Sequence, residues 1–126
     1  MSTPFNTTIT NGIAELVLDK PPVNAFDSHG WFAIADEITR LGQDDEVRVI
    51  IIAANGKGFC AGVDIKELAQ DSNKILAVNR GNYNTFKAVH LNPKPVIVAL
   101  HSFVLGGGIG IAGAADILVA STCTRF

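Results

Sequence analysis

The chain is short of the residues that carry the commonest chemistries. It has two cysteines, Cys60 and Cys123, and three histidines, with no CxxC pair and no Cys/His ligand spacing. That argues against a metal centre and against a disulfide scaffold. Both thiols are expected to be buried and free, as in a reducing cytoplasm. Only 17% of residues are charged, the net charge is −2, and no basic run exists, so a nucleic-acid surface is not expected. Hydrophobic residues make up 48% but are dispersed. No stretch approaches the ~18 apolar residues of a membrane span. The opening residues, Met1 to Asn6, show neither a basic segment nor a long apolar one, so no secretory leader is expected. A length of 126 residues suits one domain around one core.

What the chain does have is glycine placed after strands. Pro95 to Leu100 is a short apolar run that feeds Gly106-Gly107-Gly108, followed by a small-residue helical segment, Ile109 to Ala115. Glycine lets a backbone approach a ligand closely. A helix N-terminus adds unpaired N–H groups and partial positive charge. Together these suit an anion or a developing oxyanion; close helix–strand packing would call for the same glycines. A second segment repeats the arrangement. Val47 to Ala54 leads into Asn55-Gly56-Lys57-Gly58-Phe59-Cys60-Ala61-Gly62-Val63-Asp64 and a short helix from Ile65 to Leu68. Two such loops can offer two backbone N–H donors to one thioester carbonyl without any catalytic side chain.

The remaining elements follow from periodicity and turn chemistry. Asn11-Gly12 between Thr7–Thr10 and Ile13–Leu18 is a type I′ hairpin signal. Pro21 and Pro22 exclude a helix from the loop Lys20 to Asp27. Asp27 or Ser28 can cap a helix to Leu41, with Gly42 at its C′ position and Trp31, Ile34, Ala35, Ile38 and Leu41 on one core-facing stripe. The β-branched run Val47–Ala53 reads as a strand covered on both faces. Asp71 or Ser72 can cap a second long helix towards Leu91. Its apolar stripe is Ile75, Leu76, Tyr83, Phe86 and Val89, interrupted by Asn79 and Asn82, and Pro93 and Pro95 end it. Ile117 to Ala120 is a last strand. Alternating strands and helices make the class α/β.

The segments GKGFCAGVDIKEL and HSFVLGGGIGIAGAADILVAS, with KPPVNAF before them, resemble the crotonase family, also called the enoyl-CoA hydratase/isomerase family. The resemblance runs from about Ile13 to Phe126. It implies a crotonase-like spiral of ββα units, of which this chain would be the N-terminal portion. It implies acyl-CoA as substrate, with coenzyme A as the carrier and no tightly bound cofactor. By motif position the oxyanion-hole N–H groups fall on Val63 and Gly107, and a side chain at Gly107 is expected to block the thioester. Ala25, Phe26, Ala61, Asp64, Ile65 and Lys66 fall on the loops that contact CoA. Hydratases of the family carry a Glu three residues beyond the middle glycine. Here that position is Gly110, and the second family Glu would lie beyond Phe126. Simple hydration of an enoyl double bond, which needs a positioned base and acid, is therefore not expected. PPVNAF, Trp31-Phe32, AGVDIKE, Asn79-Arg80-Gly81 and GGGIG look like an actinobacterial branch that opens a steroid-derived ring as its CoA ester by hydrolysis. The resemblance also implies a cytoplasmic homotrimer or hexamer. Family members are roughly twice as long. A complementing C-terminal chain, oligomeric contacts, or a chain that is one piece of a longer protein would therefore supply what covers Ile117–Ala120.

Other residues keep two readings. Asp64 can act in the site or cap the Ile65 turn, and N-cap preference favours the cap. His101 can touch substrate or be a hydrogen-bonded structural residue. Lys57 and Lys66 can meet nucleotide phosphates or be surface lysines. Glu67 and Asp116 read as structural, and His29 and His90 as helix-surface residues. A non-catalytic acyl-CoA-binding role is the main rival. A serine-protease relative would need Ser102 and His101 to cooperate, although adjacent strand side chains point apart. Gly106 to Gly110 does not match the dinucleotide fingerprint GxGxxG.

Overall fold

The computed structural model describes residues 3–126. In chain order its elements are β1 (Phe5–Thr10), β2 (Ile13–Leu18), β3 (Ala25–Phe26), α1 (Ser28–Gln43), β4 (Val49–Ala54), β5 (Gly62–Val63), α2 (Ile65–Gln70), α3 (Ile75–His90), β6 (Val96–Leu100), α4 (Gly107–Ala114) and β7 (Ile117–Ala120). The hairpin forms where Asn11-Gly12 places it. Both turn residues have positive φ, 53° and 82°, as a type I′ turn requires, and Thr10 faces Ile13 across the antiparallel pair. From β2 onward the sheet is parallel, in the order β1-β2-β4-β6-β7.

One face of this sheet makes the core. Ala14, Leu16, Leu18, Ile50, Ile52, Val96 and Val98 are buried beneath Trp31, Ile34, Ile38 and Leu41 of α1. Each Leu, Ile or Val side chain among them contributes about 1.5–3 kcal/mol of transfer free energy. The other face of β4 is only half covered, at Val49, Ile51 and Ala53, where the unbroken β-branched run suggested burial on both sides. Every residue of β7 is exposed. Among the described residues, no helix is long and apolar enough to cross a membrane.

Two helices differ from expectation for local reasons. Asp27 caps α1, its carboxylate accepting from Gly30 N–H at 2.8 Å. Gly42 is not the C′ residue, because α1 runs on to Gln43 and Asp44 ends it. Gly42 serves packing instead: a Cβ there would lie 2.8 Å from Asn92 Oδ1, and Asn92 Nδ2 donates to the Ile38 carbonyl at 3.1 Å. Asp71 caps a single 3₁₀ turn, Ser72–Lys74, before α3 begins. α3 then buries Val78, Gly81, Thr85 and Val89, while Ile75, Leu76 and Tyr83 stay exposed. The chosen face is polar-compatible because Thr85 Oγ1 donates within reach of both the Gly81 and Trp31 carbonyls. It also contains Gly81, where a Cβ would stand 2.8 Å from Trp31 Cβ. Close approach to α1 therefore overrides the stripe at Ile75, Leu76 and Tyr83, while Val89 is buried and Phe86 packs on the core as the stripe indicated.

Candidate functional site

The fold brings the two glycine-rich loops together. Cys60 bridges Val104 in parallel, and Leu105 N–H donates to the Cys60 carbonyl at 2.9 Å. Gly62 sits at φ 104°, and a Cβ added there would lie 3.1 Å from the Gly107 nitrogen. That nitrogen opens α4: the Gly108 and Ile109 N–H groups donate to the Leu105 and Gly106 carbonyls at 2.8 and 3.0 Å, and the Gly107 N–H has no backbone acceptor among the described residues. β5 pairs with β3, Phe26 opposite Val63, and Asp64 N–H donates to the Phe26 carbonyl at 2.9 Å. Successive N–H groups of a strand alternate, so the Val63 N–H points away from β3.

Gly107 and Gly110 lie on one face of α4 against large side chains. A Cβ at Gly107 would fall 2.6 Å from Trp31 Cζ2 and Cη2 and 2.8 Å from Asn82 Oδ1. The pressure on that position is thus internal packing, in addition to any approach of a ligand. A Cβ at Gly110 would lie within 2.7 Å of three Phe86 ring atoms. The volume of a carboxylate at that position is filled by an aromatic ring. Trp31 is fully buried, edge-on to Phe26 at 5.5 Å and to Phe86 at 6.3 Å, in the core position its spacing indicates. Its Nε1 is buried with no hydrogen-bond partner among the described residues.

The other sequence-derived positions fall along the same loops. Ala25 and Phe26 form β3, and Ala61 N–H donates to the Val23 and Asn24 carbonyls at 3.1 and 3.2 Å. The Phe26 side chain belongs to the core, so only its backbone is available to a ligand. Asp64 caps α2, accepting from Lys66 N–H at 3.0 Å, with Lys20 Nζ 3.9 Å from its other oxygen. Ile65 and Lys66 are exposed beside it, and so is Lys57. Glu67 accepts from both the N–H and the hydroxyl of Ser28, and Asp116 accepts from Val96 N–H, so both carboxylates are structural. His101 Nε2 lies 2.9 Å from the Gly56 carbonyl, a structural contact that ties the two loops. His29 and His90 are exposed on their helices. Cys60 is buried, which pushes its thiol up to about 12. Cys123 is not buried, contrary to expectation: it follows the exposed strand β7, and the Ser121 hydroxyl 3.0 Å away holds its thiol below the usual range.

Asn24 is the residue that sequence reasoning passed over. It is buried, at φ 54°, and its Nδ2 reaches the carbonyls of Asn55, Gly58 and Phe59 at 2.9, 3.2 and 3.1 Å. Its Oδ1 accepts from Lys20 N–H at 2.7 Å. One side chain therefore clamps the Lys20–Phe26 loop to the first glycine loop. The sequence shows only an asparagine in a proline-bounded loop, the residue type that tolerates a left-handed φ. Asn24→Ala is expected to lower unfolding free energy by about 1–3 kcal/mol, since it strands buried polar groups. Urea denaturation followed by circular dichroism checks this, and an unchanged midpoint would mean that the clamp is redundant.

Parallel strands that each end in a glycine loop, joined at the start of one helix, define an α/β fold of crotonase type with a backbone-lined site. The family model described as enoyl-CoA hydratase/isomerase matches residues 8–126, and the chain belongs to that family. It is 42% identical over 123 residues to a (7aS)-7a-methyl-1,5-dioxo-2,3,5,6,7,7a-hexahydro-1H-indene-carboxyl-CoA hydrolase of Mycobacterium tuberculosis, covering 96% of this chain and 50% of that protein. The protein of the same name from Rhodococcus jostii is 46% identical, with 96% and 48% covered. A crystal structure of a putative enoyl-CoA hydratase/isomerase from Legionella pneumophila superimposes with a TM-score of 0.91 at 30% identity, covering 98% of this chain and 50% of that one. The chain thus spans about half the length of the relatives it matches.

Proposed function

We propose that this chain provides the thioester-binding half of an acyl-CoA enzyme, with Val63 and Gly107 N–H groups as the oxyanion hole. The observation that carries the reading is the approach of Gly62 to the Gly107 nitrogen, 3.1 Å from a Cβ position, at the open start of α4. Preorganised backbone donors of this kind are each worth about 3–4 kcal/mol in a transition state. Coenzyme A serves as the carrier, passing Ala25, Phe26, Ala61, Asp64, Ile65 and Lys66, and no further cofactor is required. The substrate is a ring-bearing CoA ester, in line with the two hydrolases named above, and the reaction is hydrolytic ring opening of a steroid-derived acyl group. Gly110, packed under Phe86, supports this against simple hydration. A homotrimer or hexamer in the cytoplasm, or a complementing chain, completes the proposal. The exposed apolar residues Ile117, Leu118 and Val119 support burial against further protein.

The test compares an acyl-CoA thioester with the matching S-alkyl thioether, which lacks the carbonyl oxygen. Equilibrium binding is expected to favour the thioester at least tenfold. Equal affinities would remove the oxyanion hole from the account.

A further inference from the structure

Asparagine followed by glycine occurs twice, at Asn11-Gly12 and at Asn55-Gly56. In such a pair the glycine nitrogen, with no Cβ beside it, can reach the asparagine side-chain carbonyl. Asn11 and Asn55 are both exposed, but the fold holds the two pairs differently. Asn11 sits at φ 53° inside the tight turn that joins the paired strands β1 and β2. The Gly12 carbonyl accepts from the Arg48 and Val49 N–H groups at 2.7 and 3.2 Å, and the Arg48 side chain packs against Gly12. Ring closure there requires the turn to open first. Asn55-Gly56 is fixed on one side only. Asn55 N–H donates to the Leu18 carbonyl at 2.9 Å, and its own carbonyl accepts from Asn24 Nδ2 at 2.9 Å. Past that point the chain is free. The Gly56 N–H has no backbone acceptor among the described residues, and a Cβ at Gly56 would meet nothing within 4 Å. Asn55, Gly56 and Lys57 also border an open cavity of about 300 Å³, which gives water access to the pair.

We infer that Asn55 is a self-modification site, at which deamidation loosens the first glycine loop. The Gly56 nitrogen gives its proton to solvent and bonds to Asn55 Cγ. The Cγ–Nδ2 bond breaks, and the amide nitrogen takes a proton from water and leaves as ammonia. Water then opens the five-membered imide at one carbonyl to give aspartate, or at the other to give isoaspartate. The aspartate faces Asp19, whose Oδ2 now lies 3.4 Å from the Asn55 amide nitrogen, so a hydrogen bond becomes a like-charge contact. The isoaspartate lengthens the main chain by one carbon. It also takes the carbonyl held by Asn24 out of the main chain, just ahead of Gly58 and Phe59, whose carbonyls the same amide holds. That loop runs on to Val63. Loss of thioester binding with age therefore follows, a consequence that rests on the oxyanion-hole reading above.

The test incubates the purified chain in warm, mildly alkaline buffer, with Asn55→Gln beside it. Glutamine keeps an amide but cannot close the five-membered ring. Peptide mapping by mass spectrometry follows the change from amide to acid at both pairs. Asn55 is expected to convert about tenfold faster than Asn11, equivalent to ~1.4 kcal/mol of extra barrier in the hairpin. In urea the two rates should converge, because the fold no longer separates them. Hydrogen–deuterium exchange of the Gly58–Val63 segment should rise as wild type converts and stay constant in Asn55→Gln. Thioester preference over the thioether should fall in wild type alone. If folded Asn55 converts no faster than Asn11, the site is overturned. If it converts while exchange stays constant, the loosening is overturned. A fresh chain without thioester preference removes the oxyanion-hole reading, and the mapping and exchange results still decide the inference.

Discussion

Gly107→Ala should abolish the preference for a thioester over its thioether and destabilise the fold by about 1–3 kcal/mol, the usual cost of overpacking. The added methyl meets Trp31 Cζ2 and Cη2 at 2.6 Å. Trp31 is fully buried and gripped by Phe26 and Phe86, so it has no room to withdraw. The start of α4 must shift instead, and the Gly107 N–H shifts with it. Trp31→Phe removes the two offending carbons, so Gly107→Ala with Trp31→Phe should lose less stability than the two single losses added together. Thermal melts and binding titrations on the four proteins check this. A stable Gly107→Ala variant with its thioester preference intact would mean that the donor lies elsewhere.

The second large effect concerns Gly110. The wild-type chain should not hydrate crotonyl-CoA, and Gly110→Glu should not restore hydration, although it puts a carboxylate where family hydratases have one. The Phe86 ring occupies the path of that side chain. The substitution should instead cost stability, again about 1–3 kcal/mol. Adding Phe86→Ala opens the space and should recover most of that loss. Absorbance at the enoyl thioester band follows hydration directly. Turnover near the ~10 s⁻¹ typical of enzymes by the wild-type chain would overturn the reading of Gly110.

Both predictions depend on contacts that only one half of the sequence pattern announced. The hairpin at Asn11-Gly12, the cap at Asp27, the core stripe from Trp31 to Leu41 and both strand-to-glycine loops were legible, because each rests on local chemistry within a few residues. The two-residue strands β3 and β5 were not, since two residues carry no period and their pairing is set by the loops around them. The buried face of α3 was legible in part: Val89 is buried and Phe86 packs on the core as the stripe indicated, but Val78, Gly81 and Thr85 complete that face in place of Ile75, Leu76 and Tyr83. The same limit hid the Asn24 clamp, whose partners lie more than thirty residues away, at Asn55, Gly58 and Phe59. It also hid Phe86: sequence shows Gly110 without the ring that occupies its missing side chain. Local signals thus picked out the two glycine loops that the fold brings together, while the side chains that shape the surrounding space became visible only through tertiary contacts.

The central claim is that two backbone N–H groups, from Val63 and Gly107, polarise one thioester carbonyl. Isotope-edited difference infrared spectroscopy reads that polarisation directly, using an acyl-CoA labelled with ¹³C at the carbonyl and bound to the chain. The account predicts that the carbonyl band moves to lower frequency on binding, that the movement is lost in Gly107→Ala, and that it returns in part when Trp31→Phe is added. A bound thioester whose carbonyl absorbs where it does in water would contradict it.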